Sequence, residues 1–479
     1  MTMARVFGRV RFARALRSRR FAWLWSGQTI SAVGDGAFFT ALAWQVLLLT
    51  RSATAMGAAL VAQSIPLVIF MLVGGVVADR LPRRLTLLWS DGGRAVVTLL
   101  VAVLGFSGRL QFWHLITLAA LFGLAEAFFR PAFQSIPPEL VPVEDLPSAN
   151  ALSSFTRSVT TLVGPAIGAA LVSIASPAGA FAFDGVTFVI SAVCLVMMGR
   201  VDGQTKRVDA AEGHEASAAV ADIAPLGPLT ALAEAALAVE RTETTTLLAT
   251  EPTAEPAAAS ASHGLRGVLA DIREGVAYVT GSTWLWLTIA LASLGNVAFA
   301  PLQVALPRLV HDTFHQGVWL LGAILTSVSI GSILATLVVG QFKRIRHRGV
   351  VAYVSLVVSS AAVALIGAPL GVFGVRPLIG GLAAGPALAL ASGAVVGIGL
   401  GVFEIIWATT MQELVPPDKL GRVSSVDWLG SLCLQPVGLA VVGALTDAIG
   451  PAWVFVVGGS FSVLLTLFGL TARGIRQLD

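Results

Sequence analysis

Charge is what this chain has least of: Asp, Glu, Lys and Arg make up 12% of its 479 residues, about half the share of an ordinary soluble domain. Too few charges remain to cover a water-facing globule. Cysteine is nearly missing as well, and Cys194 and Cys433 both fall inside apolar runs, which favours core packing over a disulfide or a metal site. The six histidines are scattered without ligand spacing, so no metal is expected. No Gly-rich loop ends in Lys-Ser/Thr to cradle a nucleotide phosphate. Neither a cofactor nor ATP-driven work, nor enzymatic chemistry, is therefore expected of this chain.

What is present is apolar. Hydrophobic residues reach 56% and the mean hydropathy is +0.83. Runs of the length that crosses about 30 Å of hydrocarbon recur near 22–49, 56–78, 85–106, 112–136, 151–174, 180–199, 284–309, 318–341, 350–370, 386–411, 424–446 and 452–472. The pattern predicts a polytopic, all-α membrane protein of twelve spans. Gly and Pro inside such spans are tolerated because neighbouring helices satisfy the freed backbone groups.

Basic residues orient the spans, since Lys and Arg collect on the cytoplasmic side. Seven arginines lie in the first 20 residues, Arg80, Arg83 and Arg84 follow the second span, and Lys343, Arg344, Arg346 and Arg348 follow the eighth. Both termini are thus expected in the cytoplasm. The basic start lacks the short apolar core and small-residue cleavage site of a signal peptide. Between Asp202 and Ser262 ten acids oppose Lys206, Arg207 and Arg241. That stretch has too few apolar residues to offset the entropy of ordering. The positive balance elsewhere belongs to the membrane-flanking arginines, so no nucleic-acid partner is needed to explain the high pI. Leu265 to Val279 has helical periodicity and should lie along the cytoplasmic surface. The chain is thereby divided into a basic N-terminus (1–20), a six-helix bundle (21–200), an acidic linker expected to be disordered (201–264), an amphipathic helix (265–282), a second six-helix bundle (283–473) and a tail (474–479).

The two bundles repeat in the same orientation. Shifted by 274 positions, Glu139-Leu-Val-Pro142 meets Glu413-Leu-Val-Pro416 and Gly164 meets Gly438; shifted by 261, Trp23-Leu-Trp25 meets Trp284-Leu-Trp286, Asp35 meets Asn296 and Phe38 meets Phe299. Parallel repeats around a central linker place a site between two rocking bundles.

The loop carrying Gly75, Asp79, Arg80, Arg83 and Arg84 resembles the signature between the second and third helices of the major facilitator superfamily, with Pro82 in place of its usual glycine. The resemblance runs from about 20 to 475 outside the central loop. It points to the bacterial drug:proton antiporter branch that includes macrolide exporters and the enterobactin exporter. It implies twelve transmembrane helices in two parallel-repeat six-helix bundles, in the bacterial cytoplasmic membrane. It also implies a conformational latch, in which Asp79 binds near the start of the eleventh helix, at about Arg422 to Val426. The counterpart loop Gly340-Gln-Phe-Lys343-Arg344 has no acid, so the latch is asymmetric. Gly164-Pro165-Ala166-Ile167-Gly168 resembles the family's Gly-Pro-x-x-Gly antiporter motif. The fourth-helix arginine motif of some drug antiporters has no clean match.

Ionisable residues inside spans are costly and usually face a cavity or a partner. Asp35, Glu126, Arg130 and Glu404 are the candidates for proton coupling or substrate contact, because a carboxyl in a low-dielectric cavity can take a proton from one side and release it to the other. Glu126 and Arg130, four apart, can equally form a permanent pair. Asp91 with Arg94 reads as a structural pair, Asp184 and Asp447 as solvated or capping groups near outer span ends, and Asp427 as the acid that opens the eleventh helix. Arg157 can reach headgroups or an acid. Phe38, Phe39, Trp44, Phe128, Phe129, Phe299, Phe403 and Trp407 are candidate cavity aromatics, whose faces attract lipophilic cations.

These features together predict a monomeric, proton-coupled secondary efflux transporter for amphipathic small molecules, with the lipid bilayer as its setting. The alternatives are an exporter of an endogenous metabolite such as a siderophore, a proton-coupled importer, and a non-transporting membrane scaffold.

Overall fold

The computed structural model describes the backbone of residues 11–199 except 81, and of 265–339, 341–342, 346–371, 378–379 and 382–478; the side chains at 71–80, at 265–272 and at a few further positions are outside the described set. The expected linker (201–264) and the Lys343 and Arg344 positions lie outside the described residues.

The first bundle contains α1 (Arg19–Thr50), α2 (Ala53–Arg80), α3 (Arg83–Phe106) and α4 (Phe112–Ser135). A continuous helical stretch, Leu146–Met198, follows. Eleven helical runs among the described residues are long and apolar enough to cross a membrane, and one of them, Ser148–Met198, has 51 residues. At 1.5 Å per residue it would be about 77 Å long, more than twice the hydrocarbon thickness. Its backbone leaves helical geometry at Ser176 (φ 73°), just before Pro177. It is therefore two spans, α5 (146–175) and α6 (177–198), which brings the count to twelve.

The second bundle holds α7 (Thr283–Phe299, continued by short turns to Thr313), α8 (Val318–Val339), α9 (Arg348–Gly371), α10 (Ala384–Leu414), α11 and α12 (Pro451–Thr471). α11 is itself interrupted, running Pro417–Leu432 and then Gln435–Ile449. Cys433, expected inside a span, lies exposed in that break and bonds to the Gly430 carbonyl. A two-residue antiparallel ladder, Leu378–Ile379 with Leu382–Ala383, precedes α10. The two bundles fold as one unit, Met1–Arg200 with Glu274–Asp479. The second unit, Val201–Arg273, is described only at 265–273, where the backbone belongs to the helix Leu265–Gly281. The later part of that helix docks on α11: Glu274 pairs with Arg422 at 2.9 Å, and Val279 joins a buried cluster with Leu285, Met411 and Val423.

The sequence repeat reappears as equivalent contacts. Gly164 of α5 lies so close to Gly36 of α1 that a Cβ on it would sit 2.7 Å from the Gly36 Cα, and Gly438 of α11 meets Val297 of α7 in the same way. Positions 36 and 297, like 164 and 438, are the repeat partners. Glu139 pairs with Arg83 and its repeat mate Glu413 with Arg348, each joining the end of one span to the start of another.

In lipid, association of helices relies on close packing of small residues and on polar contacts. Both occur between the bundles. α2 meets α11 where Gly57 abuts the Leu439 carbonyl and Gly443 abuts Ala53. α5 meets α8 where Gly322 abuts the Pro165 carbonyl. Proline has no N–H to give to the carbonyl four residues back, which here is that of Thr161. Ser329 of α8 donates to that carbonyl at 2.6 Å instead. The largest buried cluster joins both bundles near Arg51 and Arg308, with Phe38, Leu42, Met56, Val310, Leu320 and Leu439 among its members.

Candidate functional site

The charges inside the first bundle converge. Asp91 of α3 is fully buried and satisfied on every side: Arg94 donates at 2.6 Å, Ser191 of α6 at 2.7 Å and Gln28 of α1 at 3.1 Å. The expected structural pair is thus the hub linking three helices. The Arg94 guanidinium also lies over three aromatic rings, 4.4 Å from the Phe188 centroid, 4.7 Å from Phe129 and 5.9 Å from Phe122, an arrangement that holds a desolvated cation. On α4, Glu126 and Arg130 form their i,i+4 pair at 2.8 Å.

Asp35 stands on α1 within electrostatic reach of Arg94, Glu126, Asp91 and Arg130. It keeps part of its surface accessible despite its depth. Both arginines are already bonded to other acids. The position beside it, Gly34, is in tight contact with α6: a Cβ there would fall 2.1 Å from Thr187 Oγ1 and 2.6 Å from Asp184 Oδ1. Asp184, expected to be solvated or capping near the end of its span, is instead fully buried. The span begins after Ser176, so Asp184 stands two turns inside it, about 10 Å along the axis.

The second bundle carries fewer charges. Asn296, the repeat mate of Asp35, donates to the Ser431 carbonyl at 2.8 Å. Asp427 does not open its helix, which starts ten residues earlier at Pro417; it accepts from Trp407 Nε1 at 3.1 Å. Trp407 stacks on Phe403 and meets Trp284 edge-on. Glu404 of α10 is exposed, and Arg157 of α5, also exposed, is within its electrostatic reach. Opposite charges from opposite bundles, both accessible, thus lie within electrostatic range of each other.

The other end is shut. Asp447, at the end of α11, accepts from the Ser52 hydroxyl at 2.6 Å and from the Ala53 and Thr54 amides at 2.9 Å each. Arg308, beyond α7, pairs with the same carboxylate. A residue of one bundle thus caps a helix of the other, binding the free amides and positive end of α2.

The remaining sequence candidates are spread out. Phe38 is buried, stacked on Phe122 with centroids 4.5 Å apart, and Phe39 is exposed beside it. Trp44 is buried against His311 between the bundles at the shut end. Phe299 packs on the core from α7. Phe128 lines a groove of about 520 Å³ with Trp89, Arg94, Leu121 and Phe122. That groove is bounded by α3 and α4 alone, on the flank of the first bundle rather than between bundles. Gly75, Asp79 and Arg80 belong to α2, but their side chains are outside the described residues, so the expected bond from Asp79 to 422–426 is too. Arg84 donates to the Leu195 and Val196 carbonyls at 2.7 and 3.0 Å. Gly168, like Gly164, lies against α1.

Comparison with known proteins gives a consistent picture. The Major Facilitator Superfamily profile matches residues 24–431. Macrolide efflux protein A of Streptococcus pyogenes is 20% identical over 96% of this chain and 97% of its own length. The multidrug efflux pump Tap of Mycolicibacterium fortuitum is 25% identical over 94% of each chain. Among solved structures, a POT family transporter in complex with a thioalcohol-conjugated peptide superposes with a TM-score of 0.64 at 13% identity, over 95% of this chain and 96% of that one; that likeness speaks to the fold.

Proposed function

We infer, from a chain that belongs to the Major Facilitator Superfamily of transporters, that it exports amphipathic small molecules in exchange for protons by rocking its two bundles about a central site. The similarity to proteins named for macrolide and multidrug efflux supports the outward direction and the substrate class. One observation supports proton coupling above the rest: Asp35 lies deep in the first bundle, partly accessible, while the two arginines in its reach are bonded to other acids. A carboxyl so placed changes charge with its access to water.

In this reading the arginine-rich end is cytoplasmic and the chain is a monomer in the bacterial inner membrane. The accessible Glu404 and Arg157 then flank a cytoplasmic vestibule, and Asp447 closes the outer side. Substrate enters beside Glu404, Asp35 loses its proton as a cationic substrate is taken up, and the outer closure releases. Reprotonation from outside returns the carrier. Aromatic faces at Phe403 and Trp407 offer a stacking surface near the vestibule.

The test is efflux of ethidium and of a macrolide from cells expressing the chain, with and without a protonophore, against Asp35→Asn and Glu126→Gln. Protonophore-sensitive efflux that disappears in Asp35→Asn supports the reading. Efflux that persists with the protonophore, or is untouched by Asp35→Asn, rejects it.

A further inference from the structure

Asp184 of α6 has no exposed surface, and neither of its carboxyl oxygens has a hydrogen-bond partner among the described residues. Thr187, three residues on along the helix, donates to the Asp184 backbone carbonyl at 2.7 Å, and its hydroxyl lies close enough to act on the carboxyl as well. The charges that act on this carboxyl come from the two helices packed against α6: Asp35 from α1 most strongly, then Arg94 and Asp91 from α3. Glu126 and Arg130 of α4 reach Asp35 in turn.

The inventory of this cluster does not balance. Asp35, Asp91, Glu126 and Asp184 face Arg94 and Arg130, and Arg94 is bonded to Asp91 and Arg130 to Glu126. Asp35 and Asp184 are left as neighbours without a cation of their own. Two carboxylates within electrostatic reach of each other in a low-dielectric interior oppose each other's ionisation, and removing a buried carboxylate from water without a partner is costly. The close approach that makes them neighbours depends on Gly34, whose missing side chain leaves the space that Thr187 and Asp184 fill.

We propose that Asp35 and Asp184 share one proton across the Gly34 contact, Asp35 being the accessible port and Asp184 the sealed store. The pair, rather than Asp35 alone, then holds the proton that is exchanged for substrate. This rests on the proton-coupled reading above for its purpose but not for its existence. A shared proton belongs to the pair, so altering either member changes the titration of the other.

The test is pH-difference infrared spectroscopy on the detergent-purified full chain, following the C=O band of protonated buried carboxyls, in the wild type, Asp184→Asn and Asp35→Asn. Both variants should lose the band or move its midpoint by about one pH unit or more, the size expected of interacting sites. The double variant, which keeps neither carboxyl, should show no band from the pair at any pH. Asp35→Asn alters the accessible member and keeps the experiment decisive if Asp184→Asn does not yield monodisperse protein. A band unchanged in either single variant overturns the shared proton. Ethidium efflux driven by a pH gradient is measured beside it: its absence in the wild type counts against the proton-coupled reading, while the spectra decide the pair independently.

Discussion

Replacing Asp447 with alanine should open the shut end of the protein. The carboxylate binds the Ser52 hydroxyl and two amides at the start of α2, and pairs with Arg308. α2 keeps a cap of its own when Asp447 leaves, because the Ser52 hydroxyl accepts from the Ala55 amide at 3.2 Å. What is lost is the contact across the bundles. A capping carboxylate contributes about 1 kcal/mol. Both partners of the ion pair keep roughly a quarter of their surface, at 28% for Asp447 and 23% for Arg308, so the pair adds only about 0.5 kcal/mol after solvent screening. The sum, about 1.5 kcal/mol, is roughly a tenfold shift in the ratio of open to shut molecules. Spin labels at Arg109→Cys and His315→Cys, in a chain with Cys194 and Cys433 replaced, report the separation of the bundles at that end by electron-electron double resonance. The ratio of long-distance to short-distance populations should rise about tenfold relative to the parent. A distribution that stays within twofold of the parent would refute the idea that this carboxylate holds the bundles together.

Further substitutions probe the remaining contacts. Ser329→Ala leaves the Thr161 carbonyl without its donor, which should cost about 1–2 kcal/mol and lower the melting temperature of purified protein; an unchanged melt means that the carbonyl has found another partner. Arg94→Met strips the buried Asp91 of its cation and should destabilise by about 3–5 kcal/mol. Adding Asp91→Asn should then recover most of the loss, and failure to recover would contradict the charge argument. Gly164→Ala forces a methyl to within 2.7 Å of the Gly36 Cα, costing about 1–3 kcal/mol by overpacking. A variant that melts with the wild type would show that α1 and α5 separate without penalty.

Much of the architecture could be read from the sequence because bilayer thickness leaves few solutions for an apolar run. The repeat was legible down to single contacts: the shifts that aligned Gly164 with Gly438 also place each against the equivalent helix, α1 or α7. The Glu139 and Glu413 matches became two equivalent ion pairs. The Glu126–Arg130 pair was one of the two readings that the i,i+4 spacing left open. The central charge cluster was less legible, because helix rotation is set by packing that spacing does not fix. Asp184 looked peripheral because the apolar run of the sixth span begins near 180, one turn before it, whereas the helix resumes directly after Ser176 and packing against α1 buries the position. Asp447 read correctly as a capping group, but the helix it caps is 394 positions away at Ala53, beyond anything local periodicity reports. The role of Ser329 depended on Pro165, whose effect is legible only once α8 is known to lie against α5.

The most direct measurement is transport by purified full-length protein in liposomes, with a pH gradient imposed and the internal pH and the ethidium concentration followed together. Ethidium should move against its gradient as protons move the opposite way, and Asp35→Asn should abolish both fluxes while the protein stays folded. Ethidium movement that ignores the imposed gradient, or proton-coupled movement that survives Asp35→Asn, would contradict that expectation.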